Sequence, residues 1–138
     1  MKPVIAYVIT VLSLLAADFV WLSLTGETLY RPAMGELMRQ TADLKPAVGF
    51  YALYALAITW LVTLPATATD GPVNRVALSL KGAVLALAAF GTYDLTGMAV
   101  IRAWPFALSF IDMGWGVVTT VIAANVTATG LKLLRQTG

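Results

Sequence analysis

Three acidic residues interrupt long apolar stretches of this sequence, where a charged side chain is costly. Asp18, Asp94 and Asp112 each stand inside a run of hydrophobic residues. Because lipid cannot solvate a carboxylate, an acidic side chain within a membrane span usually faces a partner, a cavity or a ligand. The three residues are therefore candidates for coordinating a cation or an amine, or for acting as acid and base.

The composition excludes several kinds of site. The 138 residues contain no cysteine and no histidine, so we expect no haem, zinc or iron–sulfur centre held by those residues, and the identity of any cofactor is unknown. The net charge of +2 is small, and no nucleic-acid partner is expected. Hydrophobic residues make up 59% of the chain and charged residues 12%, a balance that suits a lipid-facing surface.

Four apolar runs are each long enough to cross a bilayer, for which a helix needs about 20 residues. They cover residues 4–24, 47–64, 76–101 and 106–131. The sequence therefore predicts an all-α integral membrane protein. It forms a single domain over residues 1–138, with four transmembrane helices in an up-down bundle.

The polar stretch between the first two runs has a pattern of its own. Leu29, Ala33 and Leu37 recur at helical spacing among charged residues. This pattern predicts a short interfacial amphipathic helix between helices 1 and 2. An ordinary connecting loop with incidental helical spacing is the alternative.

The depth of the three acids within their runs is informative. Asp18 and Asp94 lie six and seven residues before their runs end, and Asp112 lies six residues after its run begins. At a helical rise of about 1.5 Å per residue, all three lie roughly 9–10 Å below the same membrane face. If the helices turn these faces inward, the carboxylates line one pocket. Close carboxylates in a low dielectric cannot all stay charged, so this layer is expected to hold a proton or bind a cation.

Aromatic and hydroxyl side chains accompany the acids. Tryptophans follow Asp18 and Asp112 at i+3, a tyrosine and a threonine flank Asp94, and Tyr51 and Tyr54 come from the second run. Aromatic rings around carboxylates are typical of a site for a cation, an amine or a polar head group. The predicted ligand-binding residues are Asp18, Trp21, Tyr93, Asp94, Thr96, Asp112 and Trp115, and no catalytic residue is assigned.

Structural interpretations of the same residues stay open. An intramembrane Asp can hold helices together by hydrogen bonding. Trp21 can serve as an anchor at the membrane interface. Arg31 and Arg39 of the polar stretch could reach the acids and neutralise them.

The distribution of basic residues predicts an orientation. Five Lys and Arg residues flank the runs on the side of the termini, and four lie on the other side. Because cytoplasmic loops carry the excess of basic residues, both termini are expected in the cytoplasm. The acidic layer then lies near the non-cytoplasmic face.

Three short motifs carry a resemblance to a known family. They are D-x-x-W-L at residues 18–22, T-Y-D-L-T at residues 92–96 and D-x-x-W-G at residues 112–116. With them the chain resembles the bacterial membrane-protein family filed as domain of unknown function 2177. The resemblance implies a multi-pass protein of the bacterial inner membrane with four spans. It implies no activity, substrate or catalytic residue.

Three functions are compatible with the pattern. The first is an intramembrane carboxylate cluster that binds a cation, a small molecule or a lipid head group, and whether it also catalyses a reaction is open. The second is an accessory or structural subunit of a larger membrane complex. The third is a proton- or cation-coupled transporter. The expected partners are membrane lipid and, for the second function, further copies of the chain or other subunits.

Overall fold

The computed structural model describes residues 1–137, which contain four helices long and apolar enough to cross a membrane. This confirms the predicted fold class. The helices are α1 at Lys2–Leu37, α2 at Leu44–Ala66, α3 at Arg75–Val100 and α4 at Phe106–Thr137. The side chains of Asp43 and Asn74 cap the first turns of α2 and α3 by accepting hydrogen bonds from backbone N–H groups.

The separate interfacial helix predicted after the first span is not confirmed. The chain stays helical past Thr25, through a π-helical turn at Gly26–Tyr30 and a further turn at Arg31–Met34, so these residues continue α1. In the π-helical turn the Arg31 N–H donates to the carbonyl five residues earlier. This wider turn accommodates Pro32, which lacks an N–H. The helix ends at a short 3₁₀ turn that begins with Gly35, whose φ of 55° suits glycine alone.

The last helix, α4, packs against all three other helices and keeps one face exposed. It packs against α3 and α1, and α2 reaches both α3 and α4 through Ile58–Thr63, in its second half. The backbone of the first half of α2 is farther from α3, and this half reaches α3 through the rings of Phe50 and Tyr54, which pack against Phe90. Glycine permits the closest approach between α3 and α4, because a Cβ added at Gly116 would lie 2.5 Å from the ring of Phe90.

Threonine hydroxyls join the helices in the middle of the bundle. Thr10 Oγ1 on α1 lies 2.9 Å from Thr127 Oγ1 on α4, and Thr59 on α2 donates to Thr10 at 3.3 Å. Tyr54 and Thr120 share a further hydrogen bond of 2.6 Å between α2 and α4. Interhelical hydrogen bonds of this kind contribute about 0.6 kcal/mol each within a membrane. Together they fix how α1, α2 and α4 are rotated towards one another.

Basic side chains close the end of the bundle at which α2 finishes. The Lys132 ammonium donates to the carbonyls of Thr69 and Gly71, at 3.1 and 2.5 Å. Arg135 donates to the carbonyl of Thr67 at 2.8 Å, and Lys2 donates to the same carbonyl. Cations at the carboxyl end of a helix satisfy its free carbonyls and its dipole. The first and last helices are thereby tied to one loop.

Two glycines of α4 make a matched pair for testing this packing. Gly116→Ala is expected to lower the free energy of unfolding by about 1–3 kcal/mol, because the added methyl group meets the Phe90 ring. Gly114→Ala is expected to leave it unchanged or raise it by up to about 1 kcal/mol, because no atom lies within 4 Å of the new Cβ. The measurement is reversible unfolding by SDS in maltoside micelles. An equal loss in both variants would contradict the packing of α3 on α4.

Candidate functional site

Asp18 on α1 has a hydrogen-bond donor on each of its carboxylate oxygens. The Tyr51 hydroxyl of α2 donates to Oδ2 at 2.5 Å, and the Trp115 indole N–H of α4 donates to Oδ1 at 2.7 Å. Hydrogen bonds to an ionised acceptor are short and strong. Asp18 thus joins three helices, and both of its oxygens are occupied within the fold.

The indole rings of Trp21 and Trp115 are stacked, with centroids 4.6 Å apart and planes inclined by 4°. The Trp21 indole N–H donates to the Tyr30 hydroxyl at 3.0 Å, and that hydroxyl donates to Asp112 Oδ1 at 2.6 Å. A continuous network therefore runs from Asp18, through the stacked indoles and Tyr30, to Asp112.

Asp94 on α3 differs from the other two acids. It is 2% exposed, and its Oδ2 has no hydrogen-bond partner within residues 1–137. The carboxyl of Asp112 and the hydroxyl of Ser109 lie beside it. The Ser109 hydroxyl already accepts from the Trp104 indole at 2.8 Å and donates to the Pro105 carbonyl at 3.1 Å. A buried polar atom without a partner costs about 1–3 kcal/mol, so this oxygen is positioned at a cost in stability.

Asp112 lines three neighbouring cavities. The smallest, of about 30 Å³, is also lined by Asp94, Tyr30 and Ser109. That volume is enough for one or two groups of the size of water. A second cavity of about 160 Å³ lies between Asp112 and Asp18, and the third is a cleft of about 450 Å³ between α2 and α3. Asp18 and Asp94 thus line different cavities, and Asp112 lines both.

The remaining predicted residues, Tyr93 and Thr96, lie in the wall of the cleft. The Tyr93 side chain is 56% exposed and its ring packs edge-on against Trp104, with centroids 5.0 Å apart. The Thr96 hydroxyl donates to the carbonyl of Thr92 in its own helix. Tyr93 also lines the small cavity beside Asp94, together with Asp112, Ser109 and Tyr30, whereas Thr96 lines only the cleft.

No basic side chain neutralises the acids in the part of the chain that the structure describes. Arg31 pairs with Glu27 at 2.9 Å on the surface, and the hydrogen-bond donors to Asp18 and Asp112 are Tyr and Trp side chains. Among residues 1–137, no group of three acidic, histidine or cysteine side chains is spaced to hold a metal ion. The arrangement therefore offers a pair of carboxyls, Asp94 and Asp112, to a ligand that brings positive charge or hydrogen-bond donors.

Tyr30 is the functional candidate that the sequence did not reveal. In a regular α-helix a residue nine positions after Trp21 lies two and a half turns away, on the opposite face. The π-helical turn at Gly26–Tyr30 changes the rotation of the chain and brings the hydroxyl back towards Trp21. The residue types in this stretch do not indicate a π-helical turn.

The different surroundings of the acids predict different effects of the same substitution. Asp18→Asn is expected to lower the free energy of unfolding by about 1–3 kcal/mol, because an amide NH₂ group cannot accept from Tyr51 or Trp115. Asp94→Asn is expected to leave it unchanged or raise it, because Oδ2 accepts no hydrogen bond within the described residues and the substitution removes one of two adjacent carboxyl groups. Unfolding by SDS in maltoside micelles measures both. An equal loss in the two variants would mean that both carboxyls act as interhelical contacts.

Comparison with known proteins is consistent with the motifs that contain these residues. A family described as "Predicted membrane protein (DUF2177)" matches residues 3–129. No curated protein and no solved structure matches the chain. The family match covers most of the sequence and includes Asp18, Asp94 and Asp112, and it confirms the resemblance seen in the three motifs. The chain belongs to this family of predicted membrane proteins, domain of unknown function 2177.

Proposed function

We propose that the protein binds the positively charged end of a ligand, a primary ammonium group, at the Asp94–Asp112 pair inside the membrane. The observation that carries this proposal is the Oδ2 atom of Asp94. It is buried, lacks a partner within the described residues and lies beside a second carboxyl in a small cavity. Buried acids without a structural partner are typical of binding sites in membrane proteins.

The chemistry of an ammonium group fits the pair. Such a group has three N–H donors and no acceptor, so it can donate to both carboxylates at once. It also supplies the positive charge that no Lys or Arg side chain provides to these acids within residues 1–137. A cavity of about 30 Å³ admits a group of this size and excludes a bulkier quaternary amine. In the absence of a ligand, a proton shared by the two carboxyls would relieve the same repulsion.

The orientation of the site follows from the charge pattern of the sequence. With both termini in the cytoplasm of a bacterial cell, the Asp94–Asp112 pair lies on the non-cytoplasmic side of the inner membrane. A ligand would then reach the site from outside the cytoplasm or from the outer leaflet of that membrane. The proposal concerns binding and includes no chemical reaction.

A subunit role in a larger complex receives less support from the packing. Four glycines lie close in sequence to Asp94 and Asp112, where small residues allow a partner helix to approach. Three of them contact side chains of this chain instead. Gly91 packs against Met113, Gly97 against Trp104 and Gly116 against Phe90. Gly114, where an added Cβ would meet no atom within 4 Å, is the one of this set that faces outwards among the described residues.

Titration with ethylammonium chloride tests the proposal. We expect a saturable change in tryptophan fluorescence, because a ligand on Asp112 alters its hydrogen bond with Tyr30 and hence the environment of Trp21. Asp94→Asn should weaken binding at least tenfold, since a hydrogen bond to a charged group contributes about 1.5–3 kcal/mol. Asp70→Asn is the matched control, because Asp70 is a fully exposed acid at the other end of the bundle, paired with Arg135.

Tetramethylammonium chloride controls for non-specific effects of a cation, since it has no N–H donor. It is expected to cause no saturable change. The proposal is wrong if the wild-type protein gives no saturable response to ethylammonium. It is also wrong if Asp94→Asn binds ethylammonium as tightly as Asp70→Asn does.

A further inference from the structure

The cleft between α2 and α3 leads from the outer surface of the bundle to Asp112, one of the two carboxyls of the pair. It has a volume of about 450 Å³, within the range of about 300–1,000 Å³ that is usual for small-molecule sites. Phe50 of α2 forms one wall, Thr92 and Tyr93 of α3 form the other, and Asp112 lies at the inner end. The side chains of Phe50, Thr92 and Tyr93 are exposed on the outside, where the backbone of the first half of α2 is farther from α3.

The walls of this cleft are apolar in character despite their two threonines. The Thr92 hydroxyl donates to the carbonyl of Ala88 at 2.6 Å, and the Thr96 hydroxyl donates to the carbonyl of Thr92. With these hydroxyls bonded to their own helix, the threonines present methyl groups. The rings of Phe50 and Phe90 add further apolar surface. The cleft is therefore an apolar trough that ends at a carboxylate.

The charges along the trough restrict what can occupy it. Asp112 is the charged residue in its lining, and neither the cleft nor the two cavities beside it are lined by Lys or Arg in the described part of the chain. A phosphate or carboxylate head group would meet a carboxylate there with no cation to pair with it. A hydrocarbon chain with a single positive end matches both the apolar walls and the acidic end.

We infer that the cleft holds the hydrocarbon chain of a single-chain cationic amphiphile, whose ammonium end reaches Asp112 and Asp94. This inference rests on the proposed function and adds the class of ligand and its route. The ligand is dissolved in the membrane and enters sideways between α2 and α3. A small water-soluble amine would instead reach Asp112 through the separate cavity that lies on the Asp18 side.

A bulky side chain placed in the cleft distinguishes entry of a ligand through the cleft from entry through the cavity on the Asp18 side. The protein is reconstituted in nanodiscs of fixed lipid composition and titrated with dodecylammonium chloride and, separately, with ethylammonium chloride. Thr92→Phe should weaken dodecylammonium binding at least tenfold and leave ethylammonium binding within twofold of the wild type. Val84→Phe is the matched control, since Val84 is 68% exposed on the same helix and lines a different surface groove. It should change neither affinity, and because each comparison uses one amphiphile and one lipid, partitioning cancels.

The outcomes distinguish this inference from the function on which it rests. If Thr92→Phe binds dodecylammonium as tightly as Val84→Phe does, the chain does not lie in the cleft and the inference fails, while ethylammonium binding still supports the carboxyl site. If neither amine binds the wild-type protein, the proposed function itself fails. Dodecanoate should not compete with dodecylammonium for the wild-type protein. Competition that the Thr92→Phe substitution abolishes would show that an anionic chain also occupies the cleft, and it would overturn the assignment of a cationic ligand. If Thr92→Phe also loses ethylammonium binding, Ala89→Leu, which changes another residue of the cleft wall on α3, replaces it with the same expected results.

Discussion

The stacking of Trp21 on Trp115 is the interaction on which the arrangement of the acids depends. The Trp115 indole donates a hydrogen bond to Asp18. The Trp21 indole donates to the Tyr30 hydroxyl, which in turn donates to Asp112. Stacked aromatic pairs contribute about 0.5–1.5 kcal/mol beyond the area they bury. Because one indole comes from α1 and the other from α4, the stack fixes the rotation of both helices at the depth of the carboxyls. Asp112 then faces α3, where Asp94 lies.

The three acids differ in what surrounds them. Asp18 accepts two hydrogen bonds and joins helices, whereas Asp94 has an oxygen without a partner. Asp112 has features of both, because it accepts a hydrogen bond from Tyr30 and also lines the three cavities described above. The Tyr and Trp donors to Asp18 and Asp112 are neutral, so they supply hydrogen bonds without the positive charge that an arginine would bring. The network is therefore held by neutral donors, which is compatible with the proposed binding of a cation.

Part of this structure can be predicted from the sequence, and part cannot. The four spans follow from hydropathy, because apolar side chains recur along the whole length of each helix. That the three acids lie at one depth stays a prediction from helical rise. The extension of α1 was missed, since a π-helical turn has no residue signature, and Tyr30 was missed with it. Asp94 Oδ2 lacks a partner within the described residues because the nearby Ser109 hydroxyl is engaged by other groups, and only tertiary packing determines this arrangement.

The packing of α4 against the other three helices has a consequence for biogenesis. Chains are made from the amino terminus, so α1, α2 and α3 leave the ribosome before the helix against which all three pack. Until α4 joins them, Asp18 lacks Trp115, Thr10 lacks Thr127, and the loop after α2 lacks Lys132 and Arg135. A nascent chain of three spans thus holds exposed carboxyl and hydroxyl groups in the lipid. Such an intermediate is the state that insertion factors and quality-control proteases of a membrane would meet.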